Sequence, residues 1–365
     1  MQDRRDFSTP TLRIGAHELP GNVILAPMAG ITDAPFRRMA VRYGAGLAVS
    51  EMVASAALME GKPEMVLKAE GRGVGLHAVQ LAGNDPYWMG EAARLAEGAG
   101  AAIVDINMGC PSKRVITGAA GAALLRDLPL ARRIIEAVRK AVRVPVTLKT
   151  RLGWDEDAPT AVTLARMAEA EGVAMVTVHG RTRCQFYGGR ADWAAIGAVK
   201  AALSIPVIAN GDVTRPEHAP AIRDASGADG VMIGRGAQGR PWFPGQAARA
   251  LAGRPVPPDP SIAEQRDVLL ELYDGWLGHY GTELGVRQAR KHIGWALEAA
   301  GQDAEGQGSK GEGSEGQGCE TSTGAGGGTG FVARWRRPLL TQDDPAKVAA
   351  GIRAAYDELD RRAAA

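Results

Sequence analysis

Eight short apolar runs, each followed by an Ala-rich amphipathic stretch, constrain this chain more than any other feature. The runs are VILAPM (23–28), LAVSEM (47–52), HAVQLA (77–82), IVDINMG (103–109), VPVTLKT (144–150), MVTVHG (175–180), PVIANGD (206–212) and GVMIG (230–234). Their β-branched content and length predict strands, whereas PYWMGEAARLAEGAG and PLARRIIEAVRKAV carry helical periodicity. Eight such units in about 230 residues predict an α/β fold, a closed (β/α)8 TIM barrel. A doubly wound sheet would have fewer strands and a GxGxxG turn after the first, and none is present. The 365-residue chain is longer than a barrel needs. We therefore expect a barrel domain over 1–253 and a helical domain over 254–365, joined at the Pro-rich RPVPPDPS.

The ends of the runs carry polar groups in succession: Met28, Glu51, Gln80, Asn107 with Cys110, Lys149 with Arg151, His179 with Arg181, Asn210 with Asp212, and Gly234 with Arg235. In a barrel these converge on the C-terminal mouth, where loops vary without disturbing the packed interior. A solvated-loop reading suits any one of them but not the whole series. ANGDV and IGRGAQGRPW follow the last two strands, where glycines let backbone N–H groups approach an anion and Arg235 adds a charged fork. Plain turn chemistry is the other reading of each segment. Lys149 in a partly dry mouth needs an anion, either a carboxylate such as Glu51 or Asp105 or the N1–O2 edge of a reduced flavin. Gln80 carries both donor and acceptor for the imide edge of such a ring. The residues together read as an FMN barrel, with phosphate at strands seven and eight.

Composition narrows the setting. A net charge of +2 announces no polyanionic partner globally, so any such partner must meet local basic clusters. Three scattered cysteines, Cys110, Cys184 and Cys319, have neither disulfide-framework nor metal-ligand spacing. No apolar run approaches the ~20 residues needed to cross a membrane, and MQDRRDFSTP lacks the apolar core of a secretion signal. The expectation is a cytoplasmic protein without a metal.

The segments APMAGITDAPFR (26–37), VQLAG (79–83), DINMGCPSK (105–113), VTLKTRLGW (146–154), VHGRTR (178–183), IANGDV (208–213) and MIGRGAQGRPW (232–242) stand in collinear order. In them the chain resembles the tRNA-dihydrouridine synthases, most closely the bacterial B-type branch. The resemblance implies FMN as cofactor, NADPH as reductant and tRNA as substrate, with hydride passing to C6 of a uridine. It matches Pro27, Met28 and Ala29 to a turn against the flavin, and Gln80, Lys149 and His179 to ring contacts. Asn210, Gly211, Asp212, Gly234 and Arg235 match the phosphate and ribitol cradle, Asn107 the uracil-holding asparagine, and Cys110 the catalytic cysteine.

That chemistry wants an acid at C5. A thiol of ordinary pKa, near 8.5, is mostly protonated at neutral pH and serves. Gly109 and Pro111 would hold Cys110 on an exposed turn past the fourth strand instead of burying it as core filler. Cys184 lies in a mouth loop without such a setting, and Cys319 falls in a Gly-rich tract.

Beyond residue 261, IAEQRDVLLELYDGWLGHYG, VRQARKHIGWALEAA and DPAKVAAGIRAAYDELDRRA predict helices. Arg287, Arg290 and Lys291 fall near one helical face, a stripe suited to RNA phosphates, although a solvated face is the ordinary explanation of charge runs. The resemblance favours tRNA contact, with Lys113, Arg114, Arg181, Arg183 and Arg240 extending the track around the mouth. Residues 301–330, rich in Gly, Ser, Glu and Gln, are expected to be a disordered insertion where the family has a short turn. VARWRRPLL after it is a further basic segment. We expect a monomer. Two other functions fit parts of the sequence: an FMN-barrel oxidoreductase acting on a small molecule, and a tRNA-binding protein whose barrel is no longer catalytic.

Overall fold

The computed structural model describes residues 11–306 and 330–363. Each of the eight apolar runs corresponds to one strand: β1 Val23–Leu25, β2 Leu47–Ala54, β3 His77–Ala82, β4 Ile103–Met108, β5 Val146–Arg151, β6 Met175–His179, β7 Val207–Asn210 and β8 Gly230–Ile233, with β2 and β5 running past the ends of their runs. They pair in parallel and in chain order, and β8 pairs with β1 to close a barrel. The TIM-barrel expectation holds. Runs one and seven were read too long. Pro27 has no N–H to give a ladder, and Gly211 and Asp212 turn to positive φ immediately after β7.

Aspartates start several of the outer helices. The side chains of Asp33, Asp85, Asp127 and Asp192 accept from backbone N–H groups two or three residues on. Proline in the first turn, where no N–H is missed, reinforces the first three.

The period of two in each strand divides the interior into an apolar end and a polar end. Ile24, Leu47, Ala78, Ile103, Met175, Ile208 and Met232 pack in one buried cluster at the N-terminal end. Leu12, Ile14 and Leu19, on and beside a short hairpin of Arg13–Ile14 with His17–Glu18, join the same cluster. Two residues further along the same strands come Gln80, Asp105, Thr177, Asn210 and Gly234, and then Asn107 and His179. Alternation thus carries the polar groups to the mouth. A register shift between β2 and β3, between Val49 and Met52, re-aims this stretch, and Glu51 within it accepts from Gly30 N–H at 2.5 Å.

One buried charge in this unit belongs to its stability. Arg37 is fully buried; its Nε donates to Thr32 O at 3.0 Å and its Nη1 lies 3.0 Å from His77 Nδ1. His77 Nε2 faces Ala69 O at 2.8 Å, so Nε2 carries the proton and Nδ1 accepts from Arg37. Burial first, and the arginine second, push His77 down to about 4. A lowered histidine pKa leaves stability complete above the unfolded value of 6.5 and erodes it as pH falls toward 4. We predict a loss of about 3 kcal/mol over that window. Urea unfolding of wild type and His77→Gln across pH 4–7 should show the slope in wild type alone.

The second compact unit runs from Pro257 onward and includes Gln238–Pro241. The first ends at Val256, inside the Pro-rich stretch. The second unit holds helices α1 Ile262–Tyr280, α2 Thr282–Gly306, α3 Gly330–Leu340 and α4 Pro345–Ala363. A reciprocal box starts α1: Ser261 Oγ accepts from Glu264 N–H while Glu264 accepts from Ser261 N–H at 2.8 Å. Trp276, Tyr273, Ile293, Leu297, Phe331, Ile352 and Tyr356 form its buried side chains. Two details depart from expectation. Helix α2 continues to Gly306, into the stretch expected to be disordered from 301, because QDAE sustains helix. The basic VARWRR lies in α3, which buries Phe331, Val332 and Leu339. The remainder of the expected insertion, 307–329 with Cys319, lies outside the described residues.

Candidate active site

The turn after β4 is built around Asn107. Its Oδ1 accepts from the N–H groups of Gly109 (3.2 Å) and Cys110 (2.9 Å), a side-chain-closed turn that only Asn or Asp makes easily. Arg151 Nε donates to Gly109 O at 2.9 Å, and Cys110 O accepts from Ala122 N–H at 3.1 Å. Gly121 closes the other side. At φ +61°, a Cβ there would stand 2.9 Å from Cys110 O, 3.2 Å from Cys110 Cβ and 2.8 Å from Val115 Cγ1. Cys110 is therefore half-buried and held on two sides. Burial raises its thiol pKa, outweighing the opposing pulls of the Ser112 N–H, Arg151 and Lys149. Gly121→Ala is expected to destabilise the protein by about 1–3 kcal/mol, since it adds left-handed strain to the clash. Urea unfolding in a Cys184→Ser background measures that, and the alkylation rate of Cys110 in the same samples reports its displacement.

Behind Asn107 runs a buried chain of side-chain hydrogen bonds. Thr147 Oγ1 donates to Asp105 Oδ1 (2.5 Å), Gln80 Nε2 to Asp105 Oδ2 (2.7 Å), and Asn107 Nδ2 to Gln80 Oε1 (2.8 Å). The carboxylate can only accept, so it fixes the rotamer sense of both amides. Gln80 then keeps one N–H, and one lone pair on Oε1, for any further partner. Asp105 is fully enclosed and burial raises its pKa. The sequence offered Asp105 only as a partner for Lys149; its position two residues before Asn107 on β4 was the signal of a shared inward face.

Lys149 donates to Asn210 Oδ1 at 3.1 Å and forms no ion pair with Glu51 or Asp105. Asn210 is locked in turn, because its Nδ2 donates to Met232 O at 2.8 Å. Burial, then the neighbouring Arg151, lower Lys149 to about 8. Arg151 itself is buried; Nη1 donates to Thr182 O and Phe186 O, both at 2.8 Å. His179 is held far below its ordinary pKa by burial and by Arg151, Lys149, Arg181 and Arg235. Arg181 Nη1 lies 3.3 Å from His179 Nε2, which must accept, so the neutral ring carries its proton on Nδ1.

Two residues expected to meet a ligand directly meet each other instead. Arg181, expected on the basic track, is 2% exposed, and Asp212 grips it bidentately at 2.8 and 2.7 Å. Arg181 also donates to Gly188 O and Gly189 O. A guanidinium so enclosed positions loops and has no fork left for RNA. Asp212, at φ +57°, also accepts from Ala191 N–H and lies 3.6 Å from Arg235, which stands over the Tyr187 ring at 5.0 Å. Gly211 has φ +131°, and a Cβ there would meet Ala191 Cβ at 2.6 Å. Gly234 is different: a Cβ would make only ordinary contacts, with Met28 Sδ at 3.7 Å and Ala26 Cβ at 3.8 Å, and would clash with nothing.

The β1 turn carries Pro27, Met28 and Ala29. Met28 N–H donates to Thr32 Oγ1 at 2.9 Å, and the N–H groups of Ile31 and Thr32 return to Met28 O. In the second unit, Arg290 pairs with Asp343 at 2.5 Å, Lys291 donates to Gln288 Oε1 at 3.0 Å, and the exposed Arg287 lies 4.0 Å from Glu283 one turn back. Lys113 and Arg114 sit exposed on the short helix Lys113–Thr117, and Arg240 pairs with Asp259. Among the described residues there is no cluster of metal-ligating side chains, and no helix is long and apolar enough to cross a membrane.

Comparison with known proteins adds the following. The family model described as Dihydrouridine synthase matches residues 24–322. A probable tRNA-dihydrouridine synthase of Rhodobacter capsulatus is 54% identical over 292 residues, 80% of this chain and 90% of that protein. The tRNA-dihydrouridine synthase B of Xanthomonas axonopodis pv. citri is 50% identical over 285 residues, 78% and 86% of the two chains. Among solved structures, a 2-naphthoyl-CoA reductase superposes with a TM-score of 0.53 at 14% identity, covering 68% of this chain and 52% of its own. The 6-hydroxypseudooxynicotine amine oxidase of Pseudomonas geniculata N1 gives 0.52 at 16%, covering 69% and 51%. This chain thus spans about half the length of either structure, and the likeness is one of fold.

Proposed function

The chain belongs to the dihydrouridine synthase family, and from that premise we propose that it reduces uridines of tRNA to 5,6-dihydrouridine, with FMN in the barrel mouth and NADPH as reductant. The observation that carries this is a half-buried thiol, Cys110, on the β4 turn of a mouth that otherwise gathers cations. Lys149, Arg151, Arg181 and Arg235 surround His179 there, and burial with mutual repulsion favours an incoming anion. Lys149 keeps two N–H donors beyond Asn210, and Thr177 Oγ1, paired in register with Lys149, is buried without a protein partner. The Gly-Arg pair Gly234–Arg235 after β8, with no side chain at Gly234 and a guanidinium beside it, supports an approach of that backbone to a phosphate. These residues fit FMN.

When bound and reduced, FMN supplies a hydride to C6 of the uracil. Lys149 would supply positive charge toward the cofactor's ring, and Gln80 would offer it one N–H. His179, neutral and accepting from Arg181, lines the pocket without adding charge. Asp212 locks Arg181 and stands 3.6 Å from Arg235, and would reach the phosphate only through Arg235, since a carboxylate would repel it. Asn107 keeps one N–H for a uracil carbonyl. Cys110 Sγ–H gives its proton to C5 as charge develops there. A target base in folded RNA must leave its stack to reach this site.

The test is mapping of dihydrouridine in tRNA from a strain lacking this chain, complemented with wild type or Cys110→Ala. Restoration by wild type alone supports the reading; restoration by both, or by neither, overturns it.

A further inference from the structure

The β5 and β6 loops are stitched together outside the barrel mouth. Leu152 N–H donates to Arg181 O (3.1 Å), Arg183 N–H to Gly153 O (2.9 Å) and Cys184 N–H to Trp154 O (2.9 Å). This short ladder holds Trp154 beside Arg183, whose guanidinium carbon lies 4.7 Å from the indole centroid. A second guanidinium, that of Arg126 from the end of the β4 loop, lies over the same ring at 4.8 Å. Both arginines therefore rest on one half-buried indole, at the ends of three consecutive strands.

Neither guanidinium has an acidic partner or an acceptor within reach among the described residues, and Arg183 Nε is buried with no hydrogen bond. The two acidic residues that directly follow Trp154 accept hydrogen bonds elsewhere. Asp155 accepts from Ala158 N–H at 3.0 Å and Glu156 from Gln185 Nε2 at 3.1 Å. Two like charges on one ring repel, and the ring attracts each by only about 0.5–2 kcal/mol. Stacking fixes the planes of the guanidinium groups and leaves their N–H edges free for oxygens. In the closed strand order β4, β5 and β6 are consecutive and β6 pairs with β7, so this rim continues around the mouth from the phosphate loops.

We propose that Arg126, Trp154 and Arg183 form a clamp for the phosphodiester backbone of the RNA strand entering the mouth, next to the target base. This rests on the tRNA reading above and adds a site to it. The stacked arrangement suits a backbone that must be held while one nucleotide is turned out, since phosphate contacts set register without reading sequence.

The experiment uses the full chain and tRNA, with affinity followed against salt. Each lost phosphate contact lowers the log–log salt slope by about 0.7–0.9. Arg126→Ala with Arg183→Ala should weaken tRNA binding at least tenfold and lower the slope by about 1–2. Trp154→Leu keeps both charges and should weaken binding by a smaller factor, through lost stacking. Lys140→Ala, on the outer helix Leu128–Ala141, removes a charge far from the mouth loops in sequence and should leave the slope unchanged. If the double variant matches Lys140→Ala in affinity and slope, the clamp is wrong. It is equally wrong if the double variant binds tRNA normally and instead raises the KM for NADPH, which would assign the two cations to a nucleotide phosphate. A wild-type chain that shows the slope difference but forms no dihydrouridine would sink the proposed reaction and not the clamp.

Discussion

Cys110→Ala is expected to slow single-turnover reduction of tRNA by about 10²–10⁴-fold, the usual contribution of a positioned general acid. Binding of tRNA and of FMN should be nearly unchanged, because the turn is held by Asn107, Arg151 and Gly121 through the backbone, none of them through sulfur. The pH profile separates an acid from a nucleophile. Burial raises the Cys110 pKa, so the protonated form persists through neutral pH and disappears only as pH climbs past that raised value. Wild-type single-turnover rates should therefore be flat on the acidic side and fall in strongly alkaline solution. A thiolate nucleophile would give the opposite limb, with rates rising with pH. Rapid-quench measurement of dihydrouridine from pH 6 to pH 10, with excess reduced enzyme, distinguishes them. A Cys110→Ala variant as fast as wild type would end the assignment.

Lys149→Met should have the next largest effect. Methionine nearly preserves the volume, so the loss is that of charge and of the Asn210 contact. A preorganised cation facing developing negative charge is worth about 10²–10³-fold in rate; we expect a fall of that size in flavin reduction by NADPH, read by loss of absorbance in stopped flow. FMN binding should weaken as well. The lysine without ligand titrates at about 8, so its charge is complete below that pH and is lost above it. Affinity for the anionic cofactor is then highest below pH 8 and falls as pH rises through it, by at most about tenfold per unit. Fluorescence titration of FMN at pH 6.5–9.5 should show this slope in wild type and a flat profile in Lys149→Met. A wild-type slope that survives the substitution would show that another group carries the charge.

The architecture was legible because alternation and strand length are local properties. Each of the eight runs became a strand, and polar residues at the ends of those runs gather at one mouth by the geometry of a closed parallel sheet. Residue types also announced part of the chemistry, since a cysteine between Gly109 and Pro111 is poorly placed to fill a core. The sequence reading was weaker where a side chain's partner came from a distant segment. Arg181 looked like surface charge, and its bidentate lock on Asp212 lies 31 positions away. Arg290 likewise looked available until Asp343, 53 positions on, was found paired with it. Gly121 carried no motif at all, yet its missing Cβ leaves the room in which Cys110 sits.

By itself the sequence determined the barrel, the order of its strands and the set of chemical groups delivered to one end, because periodicity and turn chemistry act over a few neighbouring residues. Only the tertiary structure decided which of those groups remain available. Hydrogen bonds and ion pairs between segments tens of residues apart orient Gln80 and Asn107 through Asp105, enclose Arg181, tie Lys149 to Asn210 and leave Arg126 and Arg183 stacked on Trp154 without an ion pair. Availability depends on burial and on distances across the mouth, and neither exists until the β-sheet closes.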